Sequence, residues 1–306
     1  MPAPVPDFAA DIWKQLSQRS RADNVDFQLT LTRYGVERLL YRLSQCPYKK
    51  RFVLKGAMLF ITWDGRSPRP TRDVDFLGRG PNSEAETKTV FQALCRQAVA
   101  ADGLTFDPET VRVEEIREAQ AYPGKSVRLL AMLGKTRIDL RVDIGFGDAV
   151  TPAPQSVAFP TLLDLPAPDI LAYPRETVVA EKLEAMVRWS LTNGRMKDYY
   201  DLAQLARQFS FEGGLLAKAI GATFRSRGTP LPAELPAALT SEFVQARQTM
   251  WNAFLNKERL TVDGQDFESV VSFLAQFLWP PAQAVARAQP FKSHWPPSGP
   301  WRTRPA

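Results

Sequence analysis

At 306 residues, with 44% hydrophobic composition, the chain is long enough to build one large domain or two smaller ones around a sizeable core. Its net charge of +6 is modest for that length, and its two well-separated cysteines, Cys46 and Cys95, and single histidine, His294, exclude a disulfide scaffold, a zinc-finger spacing, a Ser-His-Asp triad and a histidine-rich metal centre. No apolar run reaches the roughly 18 residues of a membrane span. The proline-rich start, with acids at Asp7 and Asp11, lacks the pattern of a secretory signal, so a cytoplasmic protein is expected.

Residues 1–22 read as a loose arm with one helix. Residues 24–46 read as an amphipathic helix or helix pair, with Val36, Leu39, Leu40 and Leu43 at helical spacing. A mixed sheet is expected over 51–148, with a helix near Glu84 to Ala100. Its first segment, Phe52-Val53-Leu54-Lys55-Gly56-Ala57-Met58-Leu59-Phe60, reads as an apolar strand that breaks at a glycine into a short helix. Such a turn offers backbone N–H groups to a phosphate, with Lys55 adding charge and Gly56 removing obstruction; an ordinary tight turn is the plain alternative.

The most informative run follows at Arg69-Pro70-Thr71-Arg72-Asp73-Val74-Asp75-Phe76-Leu77. Period-2 geometry puts Asp73 and Asp75 on one face of a strand and packs Val74 and Phe76 beneath. Two adjacent carboxylates repel unless something cationic lies between them, and magnesium suits hard oxygen ligands and phosphate chemistry. Two such ions can activate an attacking hydroxyl and stabilise a departing pyrophosphate, so nucleotidyl transfer is the expected chemistry. In Arg137-Ile138-Asp139-Leu140-Arg141-Val142-Asp143-Ile144-Gly145-Phe146-Gly147-Asp148 apolar and charged residues alternate. Asp143 is the candidate third carboxylate, as metal ligand or base, if this strand neighbours the first; a solvated face with cross-strand ion pairs is the alternative.

The proline-dense segment Thr151 to Pro174 looks like a crossing into a helical half, with helices expected at about 175–191, 196–209, 212–225, 239–256 and 265–278. Lys182 is odd in the first of these. Its helical neighbours Val178, Val179, Ala185 and Met186 are apolar, so it either snorkels outward or meets an anion across a cleft. Glu184 with Arg188, and Lys197 with Asp201, have the spacing of plain exposed i,i+4 pairs, and Asp198 falls in the first turn of the next helix. Trp279 to Ala306 carries Arg287, Lys292, Arg302 and Arg304 without one acid, so this tail, expected to be irregular, supplies four of the six net charges. RNA contact must then rest on local clusters: Tyr48 to Arg51, Arg66 to Arg72, and Arg225 with Arg227.

Taken together, five motifs make the chain resemble the AbiEii/AbiGii (MenT-like) nucleotidyltransferase toxins of abortive-infection and toxin–antitoxin systems. They are Lys55-Gly56, Arg69 to Asp75, Asp143 to Asp148, Ala180-Glu181-Lys182-Leu183, and Arg195 to Leu202. The resemblance, which covers roughly residues 50 to 205, implies an α/β, polymerase-β-like nucleotidyltransferase domain; with the pattern along the chain, the expected organisation is that domain with a mixed sheet and N-terminal helices (residues 1–150), a helical C-terminal domain (151–280) and a basic Pro/Trp-rich tail (281–306). The resemblance also implies a nucleoside triphosphate substrate, Mg²⁺ as one or two ions, a cognate antitoxin, and, as in some members, transfer of nucleotides to RNA at the 3′ end of tRNA. On this resemblance Asp73 and Asp75 are metal ligands, Thr71 lies beside them, and Lys182 and Asp198 complete the active centre. Lys55, Gly56, Thr71, Arg72 and Lys182 form the expected nucleotide-binding set, and Asp143 joins the catalytic and metal-binding sets. The wider pattern has Gly or Ser after the first glycine; Ala57 stands there, without a hydroxyl for phosphate. The alternatives are a protein-directed nucleotidylating enzyme and a catalytically silent binding module.

Overall fold

A computed structural model describes residues 8–116, 124–260 and 266–303. The chain forms two compact units, Met1–Gly147 with Gln155–Ala172, and Asp148–Pro154 with Tyr173–Ala306.

The first unit opens with helices α1 (Phe8–Ala22) and α2 (Phe27–Ser44), the latter capped by the Asp26 carboxylate accepting from the Leu29 N–H at 3.1 Å. Val36, Leu39, Leu40 and Leu43 are buried, as their spacing requires. There follow β1 (Phe52–Lys55), a 3₁₀ turn at Gly56–Met58, the short α3 (Leu59–Asp64), β2 (Asp73–Gly78) and α4 (Glu84–Arg96). The long strands β3 (Leu104–Ile116), β4 (Gly124–Leu133) and β5 (Thr136–Phe146) come next. Strands β6 (Gln155–Ala158) and β7 (Asp169–Ala172) complete a seven-stranded sheet in the order β3-β4-β5-β2-β1-β7-β6. It is mixed: β2–β5 and β1–β7 run parallel, the other pairs antiparallel. Alternation decides which face is wet. Val74, Phe76, Ile138, Leu140, Val142 and Ile144 are buried, and the intervening acids are not.

The hairpin β6–β7 departs from the expected crossing. All six prolines between 151 and 174 lie outside the two strands, so they bound the hairpin instead of preventing it. Its connecting loop is pinned to α2, with Glu37 accepting from the Leu162 N–H at 2.7 Å and Arg38 donating to the Pro166 carbonyl at 2.9 Å.

The second unit is helical: α5 (Arg175–Trp189), α6 (Met196–Gln208), α7 (Gly213–Arg227), α8 (Ser241–Glu258) and α9 (Phe267–Ala286). Helix α9 outruns its expected end at 278, passing through Pro280 and Pro281 because Pro281, Ala282 and Ala284 are buried in the unit. Nor is the tail irregular. A three-stranded sheet joins β8 (Phe211–Glu212), β9 (Ser293–Trp295) and β10 (Arg302–Thr303). The buried Trp295 indole donates to the Ala206 carbonyl at 2.7 Å, and Trp301 donates to the Phe277 carbonyl at 3.0 Å. Arg304 and the expected helix start at residue 265 lie outside the described residues.

Candidate active site

In the first unit the acids meet as the alternation requires. Strand β2 carries Asp73 and Asp75 on the half-exposed face, and β5 runs parallel beside it with Asp75 level with Asp143 and Asp73 level with Arg141. On the other side β1 brings Lys55 level with Asp75. The chain also places a cation of its own on this face, Arg141, which pairs with Asp143. The Arg141 Nε donates to Asp143 Oδ1 at 3.0 Å and to Ser126 Oγ at 3.2 Å, and Ser126 donates to the same Asp143 oxygen at 2.7 Å. The hydrogen bond to Asp143 raises the Arg141 pKa above its ordinary value against a burial effect that lowers it, with Asp143, Asp73 and Asp75 adding electrostatic support. Arg141 was not foreseen as part of the site; its period-2 place between Asp139 and Asp143 was the available signal. Asp139 is exposed and paired to Arg137 at 3.0 Å, outside this group.

Gly56 has a specific reason to be glycine. Its φ is +74°, and a Cβ there would stand 2.0 Å from Asp75 Oδ2. The turn therefore lets the Asp75 carboxylate lie directly against the backbone. Thr71 Oγ1 donates to its neighbour's backbone, the Asp73 carbonyl, at 3.5 Å, and Arg72 is exposed. Among the described residues no three or more His, Cys, Asp or Glu side chains form a ready metal-binding group. The acids offer only hard oxygen donors, and magnesium is commonly held by one or two carboxylates together with water and phosphate oxygens. The pair Asp73 and Asp75 fits that description.

A second charged group belongs to the helical unit. Lys182 on α5 does not snorkel: its ammonium lies 2.5 Å from Asp198 Oδ1 and 3.0 Å from Asp201 Oδ2, both carboxylates on α6 being 1% exposed. Arg195 Nε reaches the other Asp198 oxygen at 2.6 Å. Burial pushes the Asp198 carboxyl up, but the Lys182 ammonium and Arg195 guanidinium outweigh it and hold the group well below the usual carboxylate range. The i,i+4 reading of Lys197 with Asp201 is thereby corrected, because Asp201 turns inward to Lys182 while Lys197 stays exposed. Sequence spacing could not show this, since the partner comes from another helix.

The exposed pairing of Glu184 with Arg188 is corrected as well. Glu184 is buried and accepts from Arg227 Nη1 at 2.8 Å and from the Thr229 hydroxyl. Arg227 also meets Asp148 at 2.9 Å and Glu181 at 3.3 Å. Burial alone would lower its pKa, yet the carboxylates of Glu181, Asp148 and Glu184 raise it above its ordinary value. Arg227 is thus committed to acids and leaves the basic cluster expected with Arg225. Lys49 and Arg51 are partly committed too, to Asp169 at 2.6 Å and to Glu86 at 3.1 Å.

Paired aspartates on one strand of a mixed sheet, with a glycine turn lying against one of them, suit the chemistry of a nucleotidyltransferase. The chain belongs to the AbiEii family, the nucleotidyl transferase toxins of type IV toxin–antitoxin systems, whose profile matches residues 38–272. Among solved structures it is similar to a candidate nucleotidyltransferase from H. pylori, at 15% identity and a TM-score of 0.47, covering 86% of this chain and 97% of that one. It is also similar to JHP933 from Helicobacter pylori, at 15% identity and a TM-score of 0.45, covering 82% and 88%. No curated protein matches the sequence. Among the described residues no helix is long and apolar enough to cross a membrane.

Proposed function

We propose that this nucleotidyltransferase moves a nucleotide from a nucleoside triphosphate to RNA in the cytoplasm, with Mg²⁺ bound and the 3′ end of tRNA as acceptor. The observation that carries the reading is the set of acids on one sheet face: Asp73 and Asp75 on β2, with Asp143 of β5 level with Asp75 and Arg141 level with Asp73. Asp73 and Asp75 would hold the ion, which when bound neutralises phosphate charge and eases deprotonation of the attacking hydroxyl. Asp143, kept in place by Ser126 and Arg141, serves as further ligand or as base for that hydroxyl. Gly56 and Lys55 receive the triphosphate beside Asp75, with Thr71 and Arg72 at the entrance to β2. In the helical unit Asp198 and Asp201 fix the Lys182 ammonium, which stays 15% exposed.

The test is incubation of purified protein with each labelled nucleoside triphosphate, total RNA or tRNA, and graded magnesium. Label should enter tRNA, depend on magnesium, and vanish in Asp73→Asn and Asp75→Asn variants whose melting temperature is unchanged. Label entering protein instead would establish the protein-directed alternative. Undiminished transfer by both variants would remove the metal-site argument.

A further inference from the structure

The helical unit contains a groove that the chemistry above does not use. Between α7 and the stretch after α9 lies a cavity of about 630 Å³, floored by Ala217 and Gly221 and walled by Val285 and Phe291. Lys218, Arg225 and Lys292, all exposed, stand around it. No acid lines it, none occurs in α7 from Gly213 to Arg227, and none occurs from Trp279 onward. Among the described residues these three cations form no ion pair with a carboxylate, in contrast to Arg195 and Arg227 of the same unit. Here the positive charge noted in the sequence remains available for a ligand.

Geometry selects the ligand class. Lys218 and Arg225 are seven residues apart, about two turns along one face of α7, so their stems leave the helix roughly 10 Å apart. That spacing suits a chain of repeated charges better than convergence on one phosphate. The floor of small residues lets a backbone approach closely, and Phe291 offers an apolar wall for a sugar or base. A protein partner would instead want a deep pocket for a large anchoring side chain, which this open, small-residue floor does not provide. We propose that the groove is a second RNA-contact site, which seats the sugar-phosphate backbone of single-stranded RNA through Lys218, Arg225 and Lys292. The proposal rests on RNA being the acceptor.

The test compares full-length Lys218→Ala/Arg225→Ala with a charge-matched control, Lys257→Ala/Arg302→Ala, whose residues are exposed outside the groove. Binding of a fluorescent single-stranded RNA is measured at 50 and 200 mM salt, and steady-state transfer to RNA is followed alongside. On single strands each lost phosphate contact lowers the salt slope by about 0.7, so the groove variant should lose about 1.4 of slope. Its affinity deficit against wild type should therefore shrink about sevenfold between the two salt concentrations. Its KM for RNA should rise with kcat and the KM for nucleotide unchanged, while the control behaves like wild type. Equal losses in both variants, or none in the groove variant while wild type still labels RNA, would overturn the groove alone. Selective loss of polyglutamate binding with RNA binding intact would overturn it in favour of an acidic protein partner. Failure of wild type to bind or label any RNA would overturn the acceptor reading and the groove together.

Discussion

Replacing Gly56 with alanine should disable the enzyme by displacing one carboxylate, and Gly65 supplies the control. Both glycines have a positive φ, +74° and +73°, but a Cβ at Gly65 meets nothing within 4 Å whereas one at Gly56 would stand 2.0 Å from Asp75 Oδ2. An alanine in the left-handed region costs roughly 1–2 kcal/mol at either position. For a unit of this size that lowers the melting temperature by about 2–8 °C. Only at Gly56 must the Asp75 side chain also retreat by about 1 Å, since real Cβ atoms essentially never come closer than 3.0 Å to another heavy atom. A misplacement of about 1 Å in a catalytic arrangement costs on the order of 100-fold in rate. Thermal melts and single-turnover transfer of labelled nucleotide should therefore show similar destabilisation in the two variants, with kcat collapsing only in Gly56→Ala. Equal activities in folded Gly56→Ala and Gly65→Ala proteins would refute the idea that this turn exists to admit Asp75.

Three further outcomes follow from the geometry. Lys182→Met should lose about 3–5 kcal/mol in urea unfolding, because it removes the ammonium from between the buried Asp198 and Asp201 carboxylates and leaves Asp198 to Arg195; a variant as stable as wild type would contradict the ion pair. Trp295→Ala should cost about 3–5 kcal/mol by emptying a buried indole site and removing its bond to Ala206, and an unchanged melt would mean that the tail is dispensable to the helical unit. Burial pushes the Glu37 carboxyl up to about 7 from 4.5, against the opposing effects of Arg38 and the Leu162 N–H. Because the folded value is the higher one, its contribution to stability is full at pH below about 4.5 and is lost as pH rises through 7. Denaturation curves from pH 5 to 8 should show this decline in wild type and not in Glu37→Gln; parallel profiles would count against it.

Much of the sheet was legible because alternation is local. The spacing of Asp73, Val74, Asp75 and Phe76 determined which side chains face the core, and so did the run from Ile138 to Ile144, since a strand's period of two leaves no other choice once one face is apolar. The strand-glycine-helix order around Gly56 was readable for the same reason. What sequence could not decide was which strand lies beside which, and hence that Arg141 and Asp143 stand level with Asp73 and Asp75 and that Asp75 presses on Gly56. Those contacts join segments 19 or more residues apart through the order β5-β2-β1. The helical unit shows the limit more sharply. Lys182 with its apolar neighbours announced a misfit, but its partners Asp198 and Asp201 come from the next helix, and Glu184 abandons Arg188 for Arg227, 43 residues on. Spacing along one helix proposes surface pairs, whereas packing between helices buries the charges and takes the partner that the interior requires. Prolines misled in a similar way: their local preference marked the limits of β6, β7 and the tail strands, and only tertiary burial determined that the chain between them would pair.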